Sequence, residues 1–302
     1  MNCSHELKQY EFDEPKSQLH EKKKHPCFSR EGYKKYARIH LPVAPKCNIE
    51  CNYCNRSFDC VNESRPGVCS QVLDPEDALS RYLTWKDRIP DISVVGIAGP
   101  GDALANWSRT RRTIELIKEA DHAVMLCLST NGLLLSHYSP HIIGLGIGYV
   151  TITVNALDPL IGQQIYRSVT YQGTRYSGSE GAEILQMNQV KGIKHLCDSG
   201  VVVKVNIVAL PGINDGHIPV LTKYLGEMGV SVCNIMPLIP VKGSVFAHLP
   251  QTSMRELISL RRRCEEHLPQ IYHCRQCRAD AVGLLDNNLT LNSEERSSCH
   301  AG

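Results

Sequence analysis

The stretch Ile92-Ser93-Val94-Val95-Gly96-Ile97-Ala98, followed by Gly99-Pro100-Gly101-Asp102 and then by residues 109–119, holds the fold in miniature. A short run rich in Val and Ile, closed by a Gly-Pro-Gly turn, reads as a strand covered on both faces. Residues 109–119 read as the helix that follows it. The same unit recurs on both sides. Apolar runs lie at 36–43, 123–129, 150–155, 201–210 and 232–235, with helical stretches at 75–86, 180–199 and 218–229. Asp74-Pro75-Glu76-Asp77 is a helix start, with a capping residue, a proline at the first position and acids in the first turn.

Six strands alternating with helices imply a parallel sheet with right-handed crossovers. An eight-unit barrel takes roughly 250 residues, and six units here span roughly 200. The expectation is an α/β fold, a partial (β/α)6 TIM-like barrel. Residues 1–36 are polar and without period, an irregular N-terminal extension. Residues 37–245 hold the barrel, and 246–302 hold a last helix (254–267) and a cysteine-bearing tail. Chemistry in such folds collects in the loops at the carboxyl ends of the strands.

Composition narrows the classes. Of 302 residues 42% are apolar and the formal net charge is +2, so nothing calls for nucleic acid as a partner. Lys22 to Lys24 read as a solvated basic run. No apolar run reaches the roughly 18 residues of a membrane span. The polar, acidic start is no secretory signal, so a cytoplasmic protein is expected. Fourteen cysteines are many for a reducing compartment and point to metal or redox chemistry.

The loop after the first run reads Cys47-Asn-Ile-Glu-Cys51-Asn-Tyr53-Cys54. Three thiolates so closely spaced suit one iron–sulfur cube with one iron left open for substrate. The competing reading is a structural zinc site with Cys60 as fourth ligand. Cys-x3-Cys-x2-Cys with an aromatic before the last Cys resembles the signature of the radical S-adenosylmethionine (SAM) superfamily. That resemblance implies a SAM-binding 4Fe-4S cluster on Cys47, Cys51 and Cys54. It implies SAM contacts from Tyr53, from Gly99-Pro100-Gly101-Asp102 (a variant of a Gly-Gly-Glu motif), and from Asn131 and Asn155. Read alone, the Gly-Pro-Gly stretch and the two asparagines are equally turn residues.

Further stretches carry a narrower resemblance. Glu63-Ser-Arg65-Pro-Gly67, Gly99-Pro-Gly-Asp-Ala-Leu-Ala-Asn106, Thr151-Ile-Thr-Val-Asn155 and the tail Cys274-Arg-Gln-Cys277-Arg-Ala-Asp-Ala281 together resemble the NifB family of nitrogenase-cofactor biosynthesis proteins, from about His25 to Gly283. The chain resembles the short form, without a NifX-like domain. The resemblance implies two precursor 4Fe-4S clusters, making three in all. One would sit on His40, Cys60 and Cys127, the other on Cys27, Cys274 and Cys277. Glu63 and Arg65 would act at the assembly site. The implied reaction fuses the precursors, with an added sulfide and a central carbide, into an 8Fe-9S-C cluster. SAM serves both as methyl donor and as source of the 5′-deoxyadenosyl radical. Implied partners are an iron–sulfur donor protein, a low-potential electron donor and a nitrogenase-cofactor scaffold or carrier protein. Without the resemblance, Cys127 reads as a buried thiol, His40 as a structural imidazole, and Glu63 with Arg65 as a surface ion pair. Two other functions fit cysteine-rich chains of this kind: a radical SAM enzyme with auxiliary clusters acting on a peptide or small molecule, and a non-catalytic iron–sulfur carrier.

Overall fold

The computed structural model describes residues 24–60 and 68–289. Glu63 and Arg65 lie outside the described residues, as do Cys3 and Cys299. All six expected strands form: β1 (Ala37–His40), β3 (Ile92–Ile97), β4 (Met125–Thr130), β5 (Tyr149–Thr153), β8 (Val202–Ala209) and β9 (Val232–Pro237). They lie side by side in chain order, every neighbouring pair parallel, and curl into a partial barrel. Helices α1 (Pro75–Arg88), α2 (Trp107–Ala120), α5 (Gly178–Asp198) and α6 (Ile218–Glu227) fill the expected crossovers, and α7 (Met254–Cys264) precedes the tail.

The strands alternate more cleanly than their sequences imply. Ala37, Ile39, Leu126, Leu128, Val150, Ile152, Val203, Val205, Ile207, Cys233 and Ile235 face the helices in one continuous apolar core. The residues between them, including His40, Cys127, Thr151, Lys204, Asn206 and Asn234, face the barrel interior. Period-2 geometry thus separates packing from chemistry along each strand.

Several elements escape the sequence pattern. Strand β2 (Ile49–Cys51) forms inside the three-cysteine loop and pairs antiparallel with β6 (Tyr166–Tyr171). Strand β6 turns back into β7 (Thr174–Tyr176) through Gln172 and Gly173, both at positive φ, as a tight hairpin turn requires. Strands β10 (Val282–Leu284) and β11 (Asn287–Leu289) form a hairpin that covers the free edge of β1. Helices α3 (Leu135–Gly144) and α4 (Pro159–Ile165) complete the set. The last helix ends at Cys264 rather than at 267. Asp74 stands at the start of α1, but its side chain caps no helix N–H; it pairs with Arg109 Nη2 at 2.7 Å. Among the described residues no helix is long and apolar enough to cross a membrane.

Candidate functional site

Strand β2 sets the shape of the three-cysteine loop. Thr170 N–H donates to the Asn48 carbonyl at 2.8 Å and Asn52 N–H to the Ile165 carbonyl at 2.8 Å. Cys54 N–H closes a turn on the Cys51 carbonyl at 3.0 Å. The other flank is held by the Gly-Pro-Gly-Asp loop. Gly101 N–H donates to the Ala44 carbonyl at 2.6 Å and Asp102 N–H to the Lys46 carbonyl at 2.8 Å. A Cβ at Gly101 would lie 2.2 Å from the Lys46 carbonyl oxygen, so only glycine permits this approach.

Cys47, Cys51, Cys54 and Cys60 line one cavity of about 260 Å³ together with Arg56, Gly101, Asp102, Asn131, Arg167 and Ser244. Burial, with Asp102 close by, pushes the Cys47 thiol up to about 12; burial and the neighbouring Cys54 push Cys51 up as well. Such thiols stay protonated on their own and ionise against a bound cation. Asn131 Nδ2 lies 3.8 Å from Cys47 Sγ and donates to Asn48 Oδ1 at 2.7 Å. Arg56 donates to the Pro100 and Pro45 carbonyls at 3.2 and 2.7 Å, which keeps its charge beside the cysteines. Among the described residues no three His, Cys, Asp or Glu groups converge on a point where one metal ion would sit. Three thiols on one cavity wall are a donor set that a 4Fe-4S cube takes, one thiolate to each of three corner irons.

Asp102 is wholly engaged by the protein. Its Oδ1 accepts from Leu104 N–H (2.9 Å) and Ala105 N–H (3.1 Å). Its Oδ2 accepts from the Thr130 hydroxyl (2.9 Å) and Asn131 N–H (2.6 Å). Burial raises its pKa, and these four donors oppose the rise. Four donors fill the lone pairs of a carboxylate, so Asp102 ties the β3 and β4 loops together. Asn155 and Tyr53 line neither this cavity nor the next. Asn155 Nδ2 donates to the Tyr53 hydroxyl at 2.9 Å, and its Oδ1 accepts from Val208 N–H at 2.9 Å. The Tyr53 hydroxyl in turn favours the Cys51 thiolate by a hydrogen bond. Gly99 and Pro100 stand behind the cavity wall, pairing with Ala44.

A second cavity, about 70 Å³, lies in the barrel interior. It gathers Cys27, His40, Cys127, Cys274 and Cys277 from four separate stretches of chain. Cys60 is not among them; it lines the first cavity, and its N–H donates to the Pro100 carbonyl at 3.0 Å. His273 brings the N-terminal segment to the tail. Its Nε2 lies 3.1 Å from the Pro26 carbonyl, and its ring stacks on Tyr33 with centroids 5.1 Å apart. Phe28 packs on Tyr149 at 5.2 Å, seating Cys27 beside β5. Burial pushes the Cys27 thiol up to about 11. His40 Nδ1 lies 3.0 Å from the Arg278 carbonyl, and burial, with Arg38 close by, lowers its pKa to about 4. It is therefore a neutral imidazole with Nδ1 protonated and Nε2 able to bind metal. Gly96, opposite His40 on β3, makes room for the ring: a Cβ there would lie 3.0 Å from His40 Cδ2.

Cations surround this chamber. Arg38 Nη2 donates to Cys277 Sγ at 3.1 Å, Lys204 lies 5.1 Å from the Phe28 ring centroid, and Arg275 is in the lining. Gln276 N–H donates to Cys274 Sγ at 3.5 Å. Among the described residues the chamber lining contains no Asp or Glu. This donor set, with its counter-charges, fits an anionic iron–sulfur group. The sequence reading passed over Lys204, Asn206, Asn234, Arg56 and His273. A lysine and an asparagine inside the apolar run 201–210 were the available signal for the first two.

The sequence matches the profile of the radical SAM superfamily over residues 41–225. It is 50% identical over 265 residues to the FeMo cofactor biosynthesis protein NifB of Klebsiella pneumoniae, covering 86% of this chain and 57% of that protein. It is 43% identical over 273 residues to the NifB of Chlorobaculum tepidum, covering 90% of this chain and 64% of that protein. The chain thus spans less than two thirds of these relatives. Among solved structures, native anSMEcpe with bound AdoMet aligns with a TM-score of 0.52 at 14% identity, over 77% of this chain and 63% of that one, a likeness of fold. The matched profile spans more than half of the chain and includes the three-cysteine loop, and the chain belongs to the radical SAM superfamily.

Proposed function

We propose that this chain performs the NifB reaction, joining two 4Fe-4S substrate clusters and one added sulfide into an 8Fe-9S-C precursor of the nitrogenase cofactor. The observation that carries the reading is the convergence of Cys27, His40, Cys127, Cys274 and Cys277 in one chamber flanked by Arg38, Lys204 and Arg275. Four separate stretches of chain supply these donors, a His among them, which suits a cluster that is substrate rather than a permanently held auxiliary group.

A 4Fe-4S cluster held by Cys47, Cys51 and Cys54 supplies, when bound, an open iron for SAM and the electron that cleaves it. The chain does the rest by position and charge. Asp102 locks two loops, so that Asn131 and Arg56 stay beside the cysteines. Tyr53 and Asn155 support the loop from behind. Arg38 and Lys204 balance the negative charge of cluster substrates, while Arg275, in the lining, is paired with Asp286 at 2.7 Å. His40 binds iron more weakly than a thiolate does, which suits a cluster that must be converted and released. Cys60, at the wall of the SAM cavity, is the thiol placed to meet a substrate cluster arriving from the chamber. Glu63 and Arg65 follow it in sequence, and we assign them to the assembly step. One SAM gives its methyl group to a cluster sulfide. A second gives the 5′-deoxyadenosyl radical, which takes a hydrogen atom from that methyl on its way to carbide. An iron–sulfur donor, a low-potential electron donor and a nitrogenase-cofactor scaffold or carrier complete the partner set.

The test is isotopic. The protein is loaded with iron and sulfide, reduced, and given SAM labelled with 13C in the methyl group; the cluster product is then separated from the protein. Label retained in an eight-iron product is the expected result. Label found only in a methylated peptide or small molecule would overturn the proposal in favour of another radical SAM activity.

A further inference from the structure

The turn that follows the tail cysteines reaches two other parts of the molecule. Arg278-Ala279-Asp280-Ala281 closes with Ala281 N–H donating to the Arg278 carbonyl at 3.1 Å. The same carbonyl faces His40 Nδ1 at 3.0 Å. A carbonyl only accepts, so Nδ1 carries the proton and Nε2 keeps its lone pair. The turn is clamped by its own side chains. Asp280 accepts from Arg278 Nε at 2.9 Å and from Arg278 Nη2 at 3.2 Å. Asp280 Oδ2 also accepts from Ser70 N–H at 2.8 Å, and Arg278 Nη2 donates to the Val68 carbonyl. The Asp280 side chain is only 11% exposed, and Asp280 lines neither cavity. A forked guanidinium–carboxylate contact is directional and stiff. Through it the tail turn, the β1 imidazole and residues 68–70 are held as one unit.

We infer that Asp280 is a positioning residue: through Arg278 it fixes the turn whose carbonyl orients His40, presenting Nε2 to the iron of a cluster substrate in the chamber. The inference rests on the cluster-binding reading above. It makes Asp280 necessary for histidine ligation although it touches no donor atom. Gly96 supports it from the other side by leaving the imidazole its space.

The experiment uses the full chain, reconstituted anaerobically with iron and sulfide and reduced. Pulsed EPR reads the 14N coupling of an imidazole bound to a cluster, and a chelator challenge reads iron retention. The wild type is expected to show the coupling and His40→Ala to lose it. Asp280→Ala is expected to lose it as well, with iron retained in the chamber on the order of 10-fold more weakly. The spectral change on adding SAM, which reports the Cys47, Cys51 and Cys54 cluster, should be unaltered and shows that the barrel is intact. Asp280→Asn keeps an oxygen acceptor for Arg278 but sets an amide against Ser70 N–H. It is expected to weaken the coupling, and it carries the test if the alanine variant fails to fold. Wild-type coupling and retention in both Asp280 variants would overturn the inference alone. Absence of the coupling from the wild type would overturn the cluster-binding reading, and this inference with it.

Discussion

At the residue scale, Gly101 is the tightest point of the site. Its missing side chain lets the β3 loop lie against Lys46, the residue before Cys47. Gly101→Ala is predicted to force that backbone apart, at a cost of about 1–3 kcal/mol, and to release the cluster held by the three cysteines. Denaturant unfolding and iron content check both effects. Lys204 is the clearest electrostatic residue. Lys204→Met is predicted to lower the midpoint potential of the chamber cluster, since removing a nearby cation disfavours the added electron; an EPR-monitored redox titration reads the shift. Asp280 yields a pH prediction. Burial opposes its ionisation, yet the hydrogen bonds from Arg278 and Ser70 outweigh it and bring the pKa to about 2. A depressed folded-state pKa stabilises above the unfolded value, near 3.9, and that gain is lost as pH falls through about 2. The stability difference between wild type and Asp280→Asn should therefore be steady above about pH 5 and shrink toward pH 2. A difference independent of pH would contradict it. Tyr53, Asn155 and Asp102 show the limit of reading residues by motif. The motif gave no sign of the protein contacts these residues make: Asn155 donates to the Tyr53 hydroxyl, and Asp102 lines the three-cysteine cavity while accepting four hydrogen bonds from the β3 and β4 loops.

At the scale of elements, the six strands of the parallel barrel were legible because apolar runs of Val and Ile separated by helical stretches leave few alternatives. The antiparallel strands were not. Strand β2 has three residues and owes its existence to β6, more than a hundred positions away. Strands β10 and β11 are three residues each and form only because β1 offers an open edge. Helix α3 contains Pro140, which weakens its pattern. Of these, β2 and β6 line the three-cysteine cavity, and the turn between β10 and β11 reaches the chamber through Leu285. Thr170→Pro removes the N–H that supports the Asn48 carbonyl. It is predicted to speed loss of iron from the three-cysteine loop to chelator while leaving the chamber cluster unchanged. Helix α7 supplies a contrasting control. Ser253 and Glu256 form a reciprocal capping box there, so Ser253→Ala should cost about 1 kcal/mol in chemical denaturation with no effect on either cluster.

At the scale of the whole molecule, one curled sheet presents two reaction spaces. The three-cysteine cavity, proposed to bind SAM, sits where the loops after β1, β3 and β4 meet, and the chamber sits inside the barrel under the tail. The overall charge of +2 hides this arrangement, because the cations that matter are gathered around the interior thiols. The sequence could pair Cys274 with Cys277 by spacing, but Cys27 joins them through His273 and Pro26, a contact no local pattern announces. The central claim is that one polypeptide both transfers a methyl group from SAM and generates the adenosyl radical. The most direct measurement quantifies S-adenosylhomocysteine and 5′-deoxyadenosine by mass spectrometry, after SAM is added to the reduced, iron-loaded protein and to its Cys54→Ser variant. The account predicts both products from the wild type, and no 5′-deoxyadenosine from the variant. If the wild type gives 5′-deoxyadenosine alone, the claim of methyl transfer to a cluster is contradicted, and the chamber must serve another substrate.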